Sequence, residues 1–134
     1  MPETIGVDTD ISSEYILIVC AESKLELYPT QKRLCLPIIR RIYQKMKMGI
    51  RFDDIKVSDN LIIDGHHRFI SGLLVGIKLD IMPAYKTSAT IKYEWSDVVF
   101  VNEEWDTPEK IAKLNHDDAE FNNIPIEELE KMLK

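Results

Sequence analysis

The chain has 134 residues, 45% of them apolar and 30% charged, a composition suited to one domain with its own core. No apolar run approaches the ~20 residues a membrane-spanning helix needs. The net charge of −6 argues against a protein that grips a nucleic-acid backbone, which requires a basic face.

Residues 1–13 are polar and read as a frayed end or arm. Met1-Pro2-Glu3-Thr4-Ile5-Gly6 lacks the basic start and apolar stretch of a signal peptide, so a cytoplasmic setting is expected. Tyr15-Ile16-Leu17-Ile18-Val19-Cys20 is a continuous apolar run of strand length. Leu25-Glu26-Leu27-Tyr28 alternates and predicts a second strand ending at Pro29. Leu34, Ile38, Ile39, Ile42, Tyr43 and Met46 share one helical face, with the regular helix starting near Pro37 and stopping at Gly49. Its other face carries Arg40, Arg41, Lys45 and Lys47, by default a solvated face. The alternative is an arginine there leaning toward a phosphate.

Ile55-Lys56-Val57 and Leu61-Ile62-Ile63 flank Ser58-Asp59-Asn60 and predict a hairpin. A helix follows Arg68 and ends at Gly76, and Ile77 to Tyr85 resumes as a strand, a βαβ-like unit. Thr90–Tyr93 and Val98–Val101 suggest strands or extended segments. Thr107-Pro108-Glu109 is a helix start, with Ile111 and Leu114 inward, and Ile126, Leu129, Met132 and Leu133 form the stripe of a last short helix. Cys20 and Cys35 sit among apolar residues without metal-ligand spacing and read as buried reduced thiols.

Charge is uneven along the chain. Residues 94–134 hold twelve acids and four bases, a balance of −8, against thirteen bases and eleven acids, or +2, over residues 1–93. The expected organisation is a core over 1–93 and an acidic extension over 94–134 packed on it, one domain overall. Trp95, Phe100, Trp105 and Phe121 in that extension either complete the core or present an aromatic, acidic surface.

The organising stretch is Leu61-Ile62-Ile63-Asp64-Gly65-His66-His67-Arg68. A buried strand delivers polar groups to the first turn of a helix, where unpaired backbone N–H groups and a partial positive charge favour anions. Together with the following helix, Gly76 and Ile81-Met82-Pro83-Ala84, this stretch resembles the ParB/sulfiredoxin-like superfamily. Leu27-Tyr28-Pro29-Thr30-Gln31-Lys32-Arg33 is similar, more weakly, to the proline-glutamine-arginine segment upstream of that superfamily's first helix. The resemblance spans roughly residues 15 to 86.

The resemblance implies an α+β fold, a small mixed sheet with packed helices, here followed by a C-terminal helical extension. It also implies a bound nucleotide, ATP or ADP first and CTP as in the partitioning members, with Mg²⁺ as companion ion. Gly65, His66, His67 and Arg68 would meet the phosphates, and Asp64 and His66 would be the catalytic candidates. Superfamily members include a CTP-binding chromosome-partitioning clamp, an ATP-dependent reductase of cysteine sulfinic acid and an ADP-dependent free-serine kinase. Sulfiredoxins carry their essential cysteine immediately after the glycine, where this chain has His66. Partitioning proteins continue into a helix-turn-helix region, where this chain has an acidic extension. A serine kinase needs a carboxylate base, for which Asp53, Asp54 and Glu26 are available.

The same residues also have readings of their own. A guanidinium at a helix start is electrostatically misplaced, so Arg68 calls for a phosphate or for Asp64. Asp64 can accept bonds from the helix start, hold Mg²⁺ or act as a base. His66 and His67 are adjacent and point apart, and His116 is distant, so no zinc set is formed. The leading expectation is a nucleotide-binding protein supporting phosphate transfer or hydrolysis. The alternative is a non-catalytic module, such as an antitoxin or immunity protein, that meets a basic protein through residues 94–134. A nuclease needs more metal carboxylates than the single plausible one.

Overall fold

Residues 11–134 are described by a computed structural model, and they begin with a helix where the sequence predicts a strand. Helix α1 (Ser13–Glu22) is capped by Ser12, whose Oγ accepts the Tyr15 N–H at 3.1 Å. Ile16 and Cys20, four residues apart, are buried, while Ile18 between them is 55% exposed. A six-residue apolar run carries no period that separates strand from helix. Burial of the i, i+4 pair against the core decides the matter, over the weak helix propensity of isoleucine and valine. Ile11 is fully buried, so the arm expected over 1–13 does not include residues 11–13, and 1–10 lie outside the described residues.

The second predicted strand shrinks to a single parallel bridge between Tyr28 and Leu61. Pro29 follows directly and has no N–H with which to extend a ladder. Strand β1 (Arg33–Cys35) runs straight into helix α2 (Leu36–Lys47), with Pro37 in its first turn and Gly49, at φ +92°, just beyond its end. Strands β2 (Ile55–Ser58) and β3 (Leu61–Asp64) form the expected antiparallel hairpin, its turn made by Asp59 in the left-handed region.

Helix α3 (His66–Val75) runs between Gly65 and Gly76. Strand β4 (Ile81–Pro83) is shorter than the predicted Ile77–Tyr85 and pairs parallel with β2, giving the order β3-β2-β4. The strands either side of α3 are therefore not neighbours, because β2 lies between them, and the unit is not a simple βαβ. Thr90–Tyr93 forms no strand. A 3-10 turn at Trp95–Asp97 leads to β5 (Val99–Val101), parallel to β1. The result is α+β with two small sheets in place of the one expected. The first apolar run coils into α1 instead of forming a strand, and β1 finds its partner in β5.

Helix α4 (Pro108–Phe121) starts at Thr107, whose Oγ1 accepts the Lys110 N–H, and α5 (Ile126–Met132) follows. Ile16, Leu34, Ile39, Ile62, Ile70, Trp95 and Phe100 belong to one core cluster. Trp95 and Phe100 thus help complete the core, whereas Trp105 and Phe121 remain 41% and 49% exposed. A second, smaller cluster joins Ile50, Ala119 and Leu129. Asn122 clamps the two ends of that region: its Oδ1 accepts the Arg51 N–H at 2.7 Å and its Nδ2 donates to the Arg51 carbonyl at 2.9 Å. Both cysteines are buried free thiols, and burial pushes Cys20 up to about 11. No helix among the described residues is long and apolar enough to cross a membrane.

Ile62→Ala, at a fully buried position of β3, lowers unfolding free energy by about 2–5 kcal/mol in urea denaturation, whereas Thr107→Ala, a lost cap on α4, lowers it by about 0.5–2 kcal/mol.

Candidate functional site

The first turn of α3 has no side-chain cap and no acid. Its N-cap, Gly65, takes φ +99°, a conformation that a side chain disfavours. Space forbids one as well. A Cβ at residue 65 would lie 2.8 Å from Arg68 Nη2 and 2.8 Å from Ile55 Cγ2. The guanidinium of Arg68 thus folds back onto the glycine. Its Nη2 donates to the Asp54 carbonyl at 3.0 Å and stands 4.0 Å from Asp64 Oδ2, beyond hydrogen-bond range. The Arg68 Nε is buried without a partner.

The sequence-predicted residues divide into two groups around this turn. Asp64 faces solvent with its side chain 63% exposed, whereas Gly65 is buried beneath the half-buried Arg68 guanidinium. The expected capping of α3 by Asp64 is absent, because Gly65 occupies the N-cap position and the carboxylate turns to solvent. The two histidines turn inward. His66 is 1% exposed, and its Nε2 accepts the Thr30 N–H at 2.9 Å. His67 accepts the Cys35 N–H at 3.0 Å through its own Nε2, and Trp105 packs edge-on against it with ring centroids 5.6 Å apart.

Both rings are therefore neutral acceptors. Burial, aided by the neighbouring His67, pushes His66 from 6.5 down to about 4. Burial does the same to His67, with Arg41 and Arg68 assisting and Asp106 opposing. His66, fully buried, and His67, half-buried, each hold the turn through a hydrogen bond accepted at Nε2. Among the serine-kinase candidates, Asp54 reaches the site only through its carbonyl, which Arg68 holds, while Asp53 Oδ1 accepts the Asp54 N–H.

Of the basic face of α2, Lys47 is exposed to solvent as expected, whereas Arg40, Arg41 and Lys45 are taken up by the protein itself. Arg40 donates to the Ile11 carbonyl and to Asn102 Oδ1. Arg41 holds Glu104 in a two-pronged pair and reaches Asp106 at 3.1 Å. Lys45, 4% exposed, pairs with Asp118 at 2.7 Å. Hydrogen bonds from Arg41 hold the Glu104 carboxyl below its ordinary value. Exposed pairs contribute little one by one, but Lys45 would be a buried unpaired charge without Asp118. Acidic residues of the extension thus dock on α2 beside the turn. Sequence reasoning missed Thr30, Trp105, Asp106 and Asn115 as neighbours of the turn, since each arrives from a distant segment. The one available signal was the −8 extension following a basic helix.

No family model, curated protein or solved structure matches this chain.

Gly65→Ala destabilises the fold by about 1–3 kcal/mol in chemical denaturation, because the backbone is strained and Arg68 must move. The depressed histidines also give stability a definite pH dependence. Between about 4 and 6.5 the unfolded chain binds protons that the folded one refuses, so stability is complete above pH 6.5 and declines as pH falls toward 4. The decline is of the order of 2–3 kcal/mol for each ring. Urea melts across this range record it, and replacing either histidine by asparagine removes part of the slope.

Proposed function

We propose that this chain binds a nucleotide through its phosphates at the start of α3, on a ParB/sulfiredoxin-like arrangement of strand, glycine turn and helix. One observation carries the reading: an uncapped helix N-terminus and an arginine converge on Gly65 with no hydrogen-bonded carboxylate to neutralise them. Helix dipole and guanidinium favour the same ligand, an anion with several oxygens. The backbone N–H groups of residues 66–68 and the Arg68 side chain are the contacts. His66 and His67 pin the turn from behind and stay neutral.

Asp64 is the carboxylate placed to share a Mg²⁺ ion with phosphate oxygens, which suits an ion that commonly uses one or two carboxylates plus substrate. If the site transfers or hydrolyses phosphate, Asp64 is the chain's own contribution near the reacting oxygens. ATP and ADP are the first candidates and CTP the next.

A second reading has support from a different face. Glu120, Glu127, Glu128 and Glu130 are exposed at the end of α4 and on α5, as is Phe121 at 49%, and Glu109 is exposed at the start of α4. That surface suits a basic protein partner bound in a salt-sensitive way. It is smaller than the −8 balance implies, because Glu104, Asp106 and Asp118 face α2. Affinity capture at low and high salt, with wild type and with Glu120, Glu127 and Glu130 changed to lysine, tests it; identical recoveries would remove this reading.

The nucleotide reading is tested by thermal-shift titration with ATP, ADP and CTP plus Mg²⁺. Wild type gains about 2.7 kcal/mol at a hundredfold excess over Kd, and Arg68→Ala gains far less. A flat wild-type response to all three nucleotides refutes it.

A further inference from the structure

Two carboxylates hold Arg41 of α2 at once. Its Nη1 and Nη2 donate to the two Glu104 carboxylate oxygens, and Nη2 donates also to Asp106 Oδ2 at 3.1 Å. Oxygens gathered this way around one guanidinium reproduce what a phosphate group offers, because the fork of an arginine fits carboxylate and phosphate alike. The arrangement also brings two acids together: the Asp106 N–H donates to Glu104 Oε2 at 3.2 Å, with Arg41 as the cation between them.

This cluster stands beside the phosphate turn. Arg41, Arg68 and Asp106 all act on the charge of His67, and all three line one hollow between α2 and α4. Trp105, which lies between the two acids in the chain, packs edge-on against His67. Residues 102–106 therefore form a strap across the flank of the turn. Its first part is anchored, since Asn102 Oδ1 accepts from Arg40 and the Glu103 carbonyl accepts from Cys35 Sγ. Its second part rests on side chains. Among the described residues, no backbone-to-backbone hydrogen bond ties 104–106 to the core.

Burial decides which ion pair yields to an incoming anion. The Arg41 and Glu104 side chains are 24% and 37% exposed, and pairs so open to water contribute little net stability. The Lys45 side chain is 6% exposed, so parting it from Asp118 would strand a buried charge. An anion that reaches Arg41 thus displaces Glu104 and Asp106 and leaves Asp118, with α4, in place.

We propose that Arg41 is a second phosphate-binding arginine, which the strap of residues 102–106 occupies until a polyphosphate ligand at the start of α3 displaces Glu104 and Asp106. This role for Arg41 rests on the phosphate reading above and gives the acidic extension a regulatory part in it. The strap competes with the ligand, so the site selects chains of several phosphate groups, which engage Arg68 and Arg41 together, over a single phosphate.

The experiment is a calorimetric titration with tripolyphosphate and Mg²⁺ at 0.15 M salt, where charges more than about 8 Å apart are largely screened. The double variant Glu104→Gln/Asp106→Asn binds about three- to tenfold more tightly than wild type. In an Arg41→Ala background the same two changes move affinity by less than about twofold, because the guanidinium they release is gone. A general loss of negative charge near the turn would instead raise affinity in both backgrounds. In wild type, saturating tripolyphosphate shifts the Trp105 indole resonance toward its position in the double variant and leaves that of the buried Trp95 in place, a readout that does not depend on how the Arg41 variant folds. A double variant no tighter than wild type, a gain that persists with Arg41→Ala, or a Trp105 resonance that tripolyphosphate leaves unmoved overturns the strap and leaves the phosphate site standing. Binding by neither wild type nor the double variant overturns both.

Discussion

The two imidazoles at the start of α3 tie three separate stretches of chain to one point. His66 accepts from Thr30 and His67 from Cys35, so the segment before β1 and the end of β1 are held against the turn that follows β3. Ser71, one turn further on, donates within hydrogen-bond distance of both the Ile39 and His67 carbonyls, extending the tie between α2 and α3. These are bonds to buried backbone groups, which would otherwise be left unpaired. Both imidazoles therefore make structural ties, and their depressed proton affinity follows chiefly from burial.

With the turn held from behind, its outer side is free to be electrostatically unbalanced. Gly65 leaves the first turn of α3 without a side-chain cap, Arg68 folds over it, and Asp64 stands just out of hydrogen-bond range. The basic face of α2 lies nearby, and the protein neutralises it with its own acids. Glu104, Asp106 and Asp118 take up Arg41 and Lys45, bringing Trp105 against His67 and α4 over the flank of α2. Arg41 and Lys45 are thereby paired with carboxylates, while Arg68 holds no hydrogen-bonded carboxylate. The acidic extension shapes the surroundings of the turn as well as carrying a surface of its own.

The candidate site was legible in part. Leu61–Arg68 announces a strand, a glycine and a helix start because its composition changes abruptly, and local geometry then dictates an anion-favouring turn. The direction of each side chain was not legible. Consecutive residues at a helix start point about 100° apart, so one histidine is sent to the core and the next to Cys35, while Arg68 returns over Gly65. Only the packed neighbours say which is which. Asn115 and Trp105 lie some forty or more residues downstream and carry no local mark of belonging to the site.

By itself the sequence determined the elements with strong local signals. These are α2 with its proline and glycine bounds, the β2–β3 hairpin, α3 between two glycines, and α4 behind its threonine cap. Each rests on backbone preferences that act within a few residues. The tertiary structure alone decided the rest. It made a helix of Tyr15–Cys20, where an apolar run without period permits either element, and the core accepted Ile16 with Cys20 on one helical face. It also paired β1 with β5 across more than sixty residues, and turned a charged helix face inward onto acids from the far end of the chain. Pairing and charge neutralisation are contacts between distant residues, so no local pattern records them; they exist only once the chain has closed on itself.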